Sequence, residues 1–330
     1  MADLKTATSQ IFIYTGTSGS YSSSDLKYTL QKDIISGETN IVFEIAELVR
    51  DYLPISFNND YTSVSIWVTV STTLIDTNLQ NFSYGSPVTA TYLALDGYGY
   101  FEDGINPQNS TDALITTNTI YLPEDTAGKL PLYAAGVGKI IIDSATTEIT
   151  DSGNSNQKIQ YATIPANSSE IKVYATDDTT LKKTITVVNV CEPKFTNYKI
   201  TFINKHGAFQ DVFMFAKSTE SFNVTDENFK SNIIANSTVT YNTYASQQTR
   251  YNVNAQSTLK LNTGFILEDA NSTIEELFLS RNVWIRFNSQ TLPIVPKTKD
   301  MTFKTSVNDK LINYTIDFEF AFNKINNVRW

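Results

Sequence analysis

Between Leu311 and Phe322 the side chains alternate without a break: Ile312, Tyr314, Ile316, Phe318, Phe320 and Phe322 on one face, Asn313, Thr315, Asp317, Glu319 and Ala321 on the other. A period of two over that many residues fits a β-strand with one apolar and one mostly polar face, and it fits no helix. A strand of this kind needs a sheet and a second layer to cover its apolar side. Val307-Asn308-Asp309-Lys310 reads as the turn that joins it to a preceding strand from Met301 to Ser306.

The rest of the chain repeats the theme. Tyr198–Phe215, YKITFINKHGAFQDVFMF, reads as a hairpin whose loop is Asn204-Lys205-His206-Gly207, with Gly207 taking positive φ. Its second arm is apolar on both faces, so a central position in a sheet is expected. Further strands are expected at Ile11–Tyr14, Leu26–Lys32, Tyr61–Val70, Pro87–Leu95, Lys139–Ile142, Lys158–Ile164, Ile171–Ala175, Thr184–Val190, Ser237–Ala245, Thr249–Asn262 and Val283–Phe287.

Two stretches change period. Ile45, Leu48, Val49 and Tyr52 follow helical spacing before Pro54, and Ser272-Thr273-Ile274-Glu275 has the form of a capping box ahead of Ile274, Leu277 and Phe278. Thr225–Ser231 is polar and reads as a helix or loop. The expectation is a mainly β protein of several β-sandwich-like units with two or three short α-helices. Residues 1–125 would form an N-terminal unit with one helix, 126–192 a small Ig-like subdomain, and 193–330 a C-terminal β-domain with one helix. Glu192-Pro193 would be the hinge before it.

Composition narrows the function classes. A net charge of −9 and a pI near 4.7, with no basic stripe, argue against sequence-specific nucleic-acid binding. No apolar run reaches the ~20 residues of a membrane span, and the first residues lack the pattern of a signal peptide. One cysteine, Cys191, excludes an intrachain disulfide. One histidine and one cysteine cannot make a zinc cage, and the Gly136-Val137-Gly138-Lys139 run lacks the spacing of a phosphate loop. His206, in its turn, has no nucleophile motif to serve. The expectation is no enzyme, no metal and no cofactor.

What remains is recognition. Tyr98, Tyr100 and Phe101 lie in a glycine-rich loop, where exposed aromatics can stack on sugar rings. Lys205 and His206 occupy the hairpin loop and Arg329 and Trp330 the last two positions. All seven are interface candidates, the types that dominate contact energies being aromatic residues and arginine.

Four stretches resemble virion proteins of tailed bacteriophages, most nearly the neck and tail ring proteins of crAss-like podoviruses. They are TNIVFEIAELVRDYL (39–53), the 198–215 hairpin, RNVWIRFNSQTLPI (281–294) and KTSVNDKLINYTIDFEFAFNKINNVR (304–329). The resemblance implies a structural subunit, a head-to-tail connector or tail ring protein forming a homo-oligomeric ring. Its partners would be neighbouring portal, ring or tail proteins, and it would be assembled in the bacterial cytoplasm and located in the virion. The alternative is a receptor-binding or capsid-decorating module, like a head fibre, that recognises host surface glycan.

Overall fold

A computed structural model describes residues 4–76, 86–104, 112–191, 194–232, 240–300, 302 and 311–325. The protein is mainly β, with several antiparallel sheets and two α-helices among the described residues. It divides into two compact units. The first comprises residues 1–190 with 201–211 and 272–281, and the second 191–200, 212–271 and 282–330.

The first unit opens with Leu4–Tyr14 (β1), Leu26–Asp33 (β2), Ser65–Asp76 (β3) and Val88–Leu95 (β4), an antiparallel sheet in the order β2-β1-β3-β4. Ile11, Ile13, Ile66 and Val68 are buried, as their alternation requires. The first helix, Ala46–Arg50 (α1), is a little over one turn long and buries only Val49, and Tyr52 of the expected stripe is exposed.

Residues 119–190 supply Thr119–Pro123 (β5), Gly128–Tyr133 (β6), Val137–Ile142 (β7), Ala145–Glu148 (β8), Ile159–Ile164 (β9), Glu170–Ala175 (β10) and Leu181–Val190 (β11). Five of them form a sheet in the order β5-β11-β10-β7-β8, and β6 pairs with β9. β5 runs parallel to β11. Leu122, Leu130, Leu132, Ile140, Ile164 and Ile171 are fully buried.

Tyr198–Ile203 (β12) and Phe209–Met214 (β13) are the arms of the expected hairpin, and Gly207 takes φ +77°. The residues of its tip, 201–211, cluster with the first unit. The second unit is built on a sheet of seven strands. After the hairpin come Thr219–Lys230 (β14), Gln248–Asn262 (β15), Ile266–Leu267 (β16), the helix Asn271–Leu279 (α2), which from residue 272 onward belongs to the first unit, Val283–Phe287 (β17), Gln290–Pro296 (β18), Leu311–Ile312 (β19) and Thr315–Phe320 (β20). The order is β13-β12-β17-β18-β20-β15-β14, and β16 pairs separately with β19.

Five expectations need correction. β13 stands at the edge of its sheet, not the centre; its two apolar faces are covered all the same. Thr225–Ser231 is no helix or loop, since residues 219–230 form one strand held by pairing with β15. The strand expected from Leu311 to Phe322 is two, because the backbone of Tyr314 turns aside to bond Thr263 and the pairing passes from β16 to β15. Its inner face is buried from Ile312 to Phe320, whereas Phe322 is exposed. Ser272 lies inside α2 and does not cap it. The strand expected at Ser237–Ala245 is absent from its described part, 240–245. The Glu192-Pro193 hinge, the strand from Met301 to Ser306 (apart from residue 302) and the 307–310 turn fall outside the described residues.

Phe318→Ala is expected to destabilise the second unit by about 3–5 kcal/mol, since a fully buried ring leaves a cavity. Phe322→Ala, on the same sequence face but exposed, is expected to cost about 1 kcal/mol or less. Urea unfolding of the two variants reads the difference.

Candidate functional site

The hairpin loop is held by one side chain. Asn204 is fully buried, and its amide nitrogen donates to the Leu114 carbonyl at 2.6 Å and to Gln210 Oε1 at 2.9 Å. Its Oδ1 accepts from the backbone of His206 at 3.0 Å and of Ala208 at 3.2 Å. The amide thus replaces the water that a surface loop would use. Gly207 N–H donates to the Asn204 carbonyl at 2.9 Å and closes the turn.

The turn lies against the end of β4. Tyr98 N–H donates to the Lys205 carbonyl at 2.9 Å, and Gly97 bridges His206. Both contacts need glycine. A Cβ on Gly97 would stand 2.8 Å from the Lys205 carbonyl oxygen, and one on Gly207 would stand 2.9 Å from both Asp96 N and Leu95 Cβ. Behind the turn, Glu276 of α2 is buried. It accepts from the Thr116 hydroxyl and, at 3.3 Å, from Lys205 N–H. Burial raises its carboxyl above the ordinary range, and those two bonds only partly oppose this.

In front of the turn opens a cleft of about 690 Å³, which belongs wholly to the first unit. Val49, Leu53, Val68 and Leu95 give it apolar walls, and Tyr92, Tyr98 and Tyr100 contribute rings. The rings of Tyr98 and Tyr100 meet edge to face, 6.0 Å apart. The Lys205 ammonium sits 5.4 Å from the Tyr100 ring centre, a cation–π contact. Arg50 also lines the cleft and donates to buried Asp96 at 2.5 Å. Burial, then Glu276 and Tyr100, push the Tyr98 phenol up; burial and Glu275 push Tyr100 up to about 12. The cleft therefore presents aromatic rings and the Tyr100 phenol beside Lys205 and the Arg50–Asp96 ion pair, while the Tyr98 hydroxyl itself is buried. That chemistry suits stacking and hydrogen bonding.

Residues read separately in the sequence are brought together here. Tyr98, Tyr100, Lys205 and His206 share the cleft, although more than a hundred residues separate the two pairs. Phe101 stands beside it, fully exposed. Lys205 and His206 are half-buried. Arg329 and Trp330 lie outside the described residues. Arg50, Asp96 and Glu276 were not singled out by sequence, and Asn204 was read only as a turn former. No group of His, Cys, Asp and Glu that could hold a metal ion occurs among the described residues, and no helix among them is long and apolar enough to cross a membrane.

His206 is shifted down to about 4, mainly by burial and then by the charges of Lys205 and Lys183, with Asp112 opposing. Its Nε2 is 3.5 Å from the Thr116 hydroxyl. A histidine held neutral in the fold and free to protonate when unfolded stabilises the protein fully above its unfolded pKa. That contribution is lost as pH falls from about 6.5 towards 4. Glu276, raised, acts in the opposite sense as pH rises above its unfolded value. The difference between wild type and His206→Gln isolates the histidine: their stability gap is expected to change by about 3 kcal/mol over that window. Denaturant titrations at several pH values measure it.

Gly207→Ala is expected to cost about 2–4 kcal/mol, combining a left-handed φ with the collision on Asp96. Gly104→Ala has φ +64° but open space around it, so only the backbone cost of about 1 kcal/mol is expected. Thermal unfolding of the pair separates strain from crowding.

No protein-family model matches the sequence, no curated protein matches it, and no solved structure matches its fold.

Proposed function

We propose that this chain is a non-enzymatic structural protein of a tailed-phage virion, a head-to-tail connector or tail ring subunit that assembles with its own copies around a symmetric axis. The observation that carries this reading is the β14–β15 ribbon. All twelve residues of β14 are exposed, and Phe222, Val224, Phe229 and Tyr251 are apolar or aromatic residues open to solvent on it. A two-stranded ribbon is marginal in water by itself, so one that exposes aromatic rings calls for a partner surface. The resemblance of four stretches to neck and tail ring proteins supports the same reading, as does low charge combined with abundant Tyr and Phe. Its partners would be its own copies and the adjoining portal, ring or tail proteins.

A density map of the intact particle tests this. Ring-symmetric density of this shape in the neck or tail is the expected result, and its absence from both would end the proposal.

A second reading rests on the cleft. Three tyrosine rings with Lys205 and Arg50 form a surface on which a sugar can stack, which supports a receptor-binding or capsid-decorating module for host glycan. Under it, glycan-array binding would be lost in Tyr100→Ala, and the protein would sit at capsid vertices or fibres. Absence of binding to any host surface glycan would remove it.

A further inference from the structure

The ribbon has a definite geometry. β20 pairs with β15 only from Thr258 to Asn262. Next to the sheet the ribbon is still tied down: Lys324 N–H donates to the Ala255 carbonyl at 2.7 Å, Ile325 N–H to Asn254 Oδ1 at 3.1 Å, and the Lys324 ammonium lies 5.3 Å from the Phe222 ring centre. From the Glu227–Tyr251 pair to the Lys230–Gln248 pair the two strands pair only with each other among the described residues. Between Thr225 and Glu227 the register shifts by one residue on β15, where Asn252 takes φ +50°. This is a β-bulge, and it strengthens the twist of the ribbon. β14 itself keeps its alternation through the bulge. Phe222 and Val224 therefore lie on one face, and Phe229, with Tyr251 paired across from Glu227, lies on the other. The Phe229 and Tyr251 rings stand 5.8 Å apart. On the first face beyond the bulge the residues are polar, and Arg250 and Asp226 form an ion pair at 2.9 Å. Past the end of the ribbon Tyr244 is the most exposed tyrosine described, at 86%.

The same unit carries a matching receptor. At the foot of the ribbon a pocket of about 150 Å³ is lined by Phe287, Leu292, Phe320 and Phe322, with Glu220 and Lys324 beside them. An apolar cavity of ~150 Å³ accommodates a benzene-sized ring. Glu220 and Lys324 supply polar partners for a phenol hydroxyl. Tyr244 cannot reach this pocket in its own chain, because at ~3.4 Å per residue the extended strands between Ser257 and Gln248 hold the two about 30 Å apart. Beyond the Thr225–Asn254 pair the ribbon runs ~20 Å, so with about 10 Å of width and two faces it offers on the order of 400 Å², about half of the about 800 Å² per partner of a stable interface.

We propose that copies of this chain join head to tail, the β14–β15 arm of one lying on the second unit of the next, with Tyr244 seated in the Phe287–Leu292–Phe320–Phe322 pocket. A knob and a hole on different surfaces of one molecule make a heterologous contact, which generates a ring when the rotation between copies closes. The inference rests on the assembly reading above and specifies its contact.

Tyr244→Ala removes the knob, and Phe322→Glu places a charge in the hole. Both positions are exposed, and unchanged melting temperatures verify that each variant is folded. Native mass spectrometry and sedimentation of the full chain should show a closed oligomer for the wild type. Either variant alone should associate about tenfold more weakly or worse. An equimolar mixture of the two should give one-to-one pairs and nothing larger, because only one knob and one hole remain intact. Variants that assemble like the wild type would overturn the arm contact while leaving the ring reading in place. A mixture that stays monomeric although the wild type assembles would also overturn it. A wild type that is monomeric at every concentration, in particles whose neck and tail lack it, would remove both.

Discussion

In the first unit the arrangement around the hairpin loop depends on a buried amide. A turn inside a protein leaves backbone N–H and C=O groups without water, and each unpaired group would cost more than an ordinary hydrogen bond contributes. Asn204 answers this with all of its capacity: two acceptor bonds from the turn's own backbone and two donor bonds to Leu114 and Gln210. Because the turn is satisfied from within, the strand end at Leu95–Tyr98 can approach it closely enough to exclude any Cβ at Gly97 and Gly207. The position of Tyr98, and through it of Tyr100 and Lys205, follows from that approach. An Asn-to-Asp change would keep the acceptor but lose both donors, leaving the Leu114 carbonyl unpaired.

The titratable groups near this turn point in the same direction. Glu276 is buried with its oxygens engaged by Thr116 and the Lys205 backbone, and His206 is kept neutral by burial and by two lysines. Each is displaced from its ordinary pKa in the direction that removes charge from the interior. Their polar atoms are tied to neighbouring segments: Glu276 joins residue 116 to the turn, and Asn204 joins residue 114 to the same turn. A perturbed acid and a perturbed base that both meet the Thr116 hydroxyl would suggest proton transfer on their pKa values alone. Here the Glu276 carboxyl's bonds hold two chain segments in place, and the cleft is lined by aromatic rings and by charges of both signs, Arg50 and Lys205 with Glu47 and Asp103.

Much of this fold was legible because the physical signal was local. Strands with one covered face alternate, and β3, β10, β15 and β20 are recognisable from that, whereas β1 was read only in its last four residues, Ile11–Tyr14, of a strand that starts at Leu4. The 204–207 turn was legible from Asn and Gly at the positions a tight turn requires. β14 was not, and for a physical reason: both of its faces meet solvent, so TESFNVTDENFK has no buried side to impose a period, and its Asn, Asp and Glu residues favour other structures. Only the partner strand makes it β. Glu276 was missed for the mirror-image reason, since a glutamate on a short helix reads as a solvent-facing residue until tertiary structure covers it. The cleft was half legible. Its tyrosines and its loop were each noticed, but nothing local joins position 98 to position 205; that link is a long-range backbone contact.

The arm and the buried turn show opposite ways of handling exposed backbone. Around Asn204 every polar group of the turn is matched inside one chain, and a pair of glycines makes the fit close. On β14 one whole edge of hydrogen-bonding groups faces outward, the arrangement most prone to unspecific strand addition. Several features restrain it. Asp226, Glu227 and Lys230 place charges along the strand, and the bulge opposite Asp226 twists it. The apolar residues are also divided, Phe222 and Val224 on one face and Phe229 with Tyr251 on the other. Neither face alone presents a flat apolar stripe on which a second strand or sheet could stack. A surface that grips both faces of the twisted ribbon gains all of these contacts together, so the same division that weakens indiscriminate pairing favours a partner with a shaped seat.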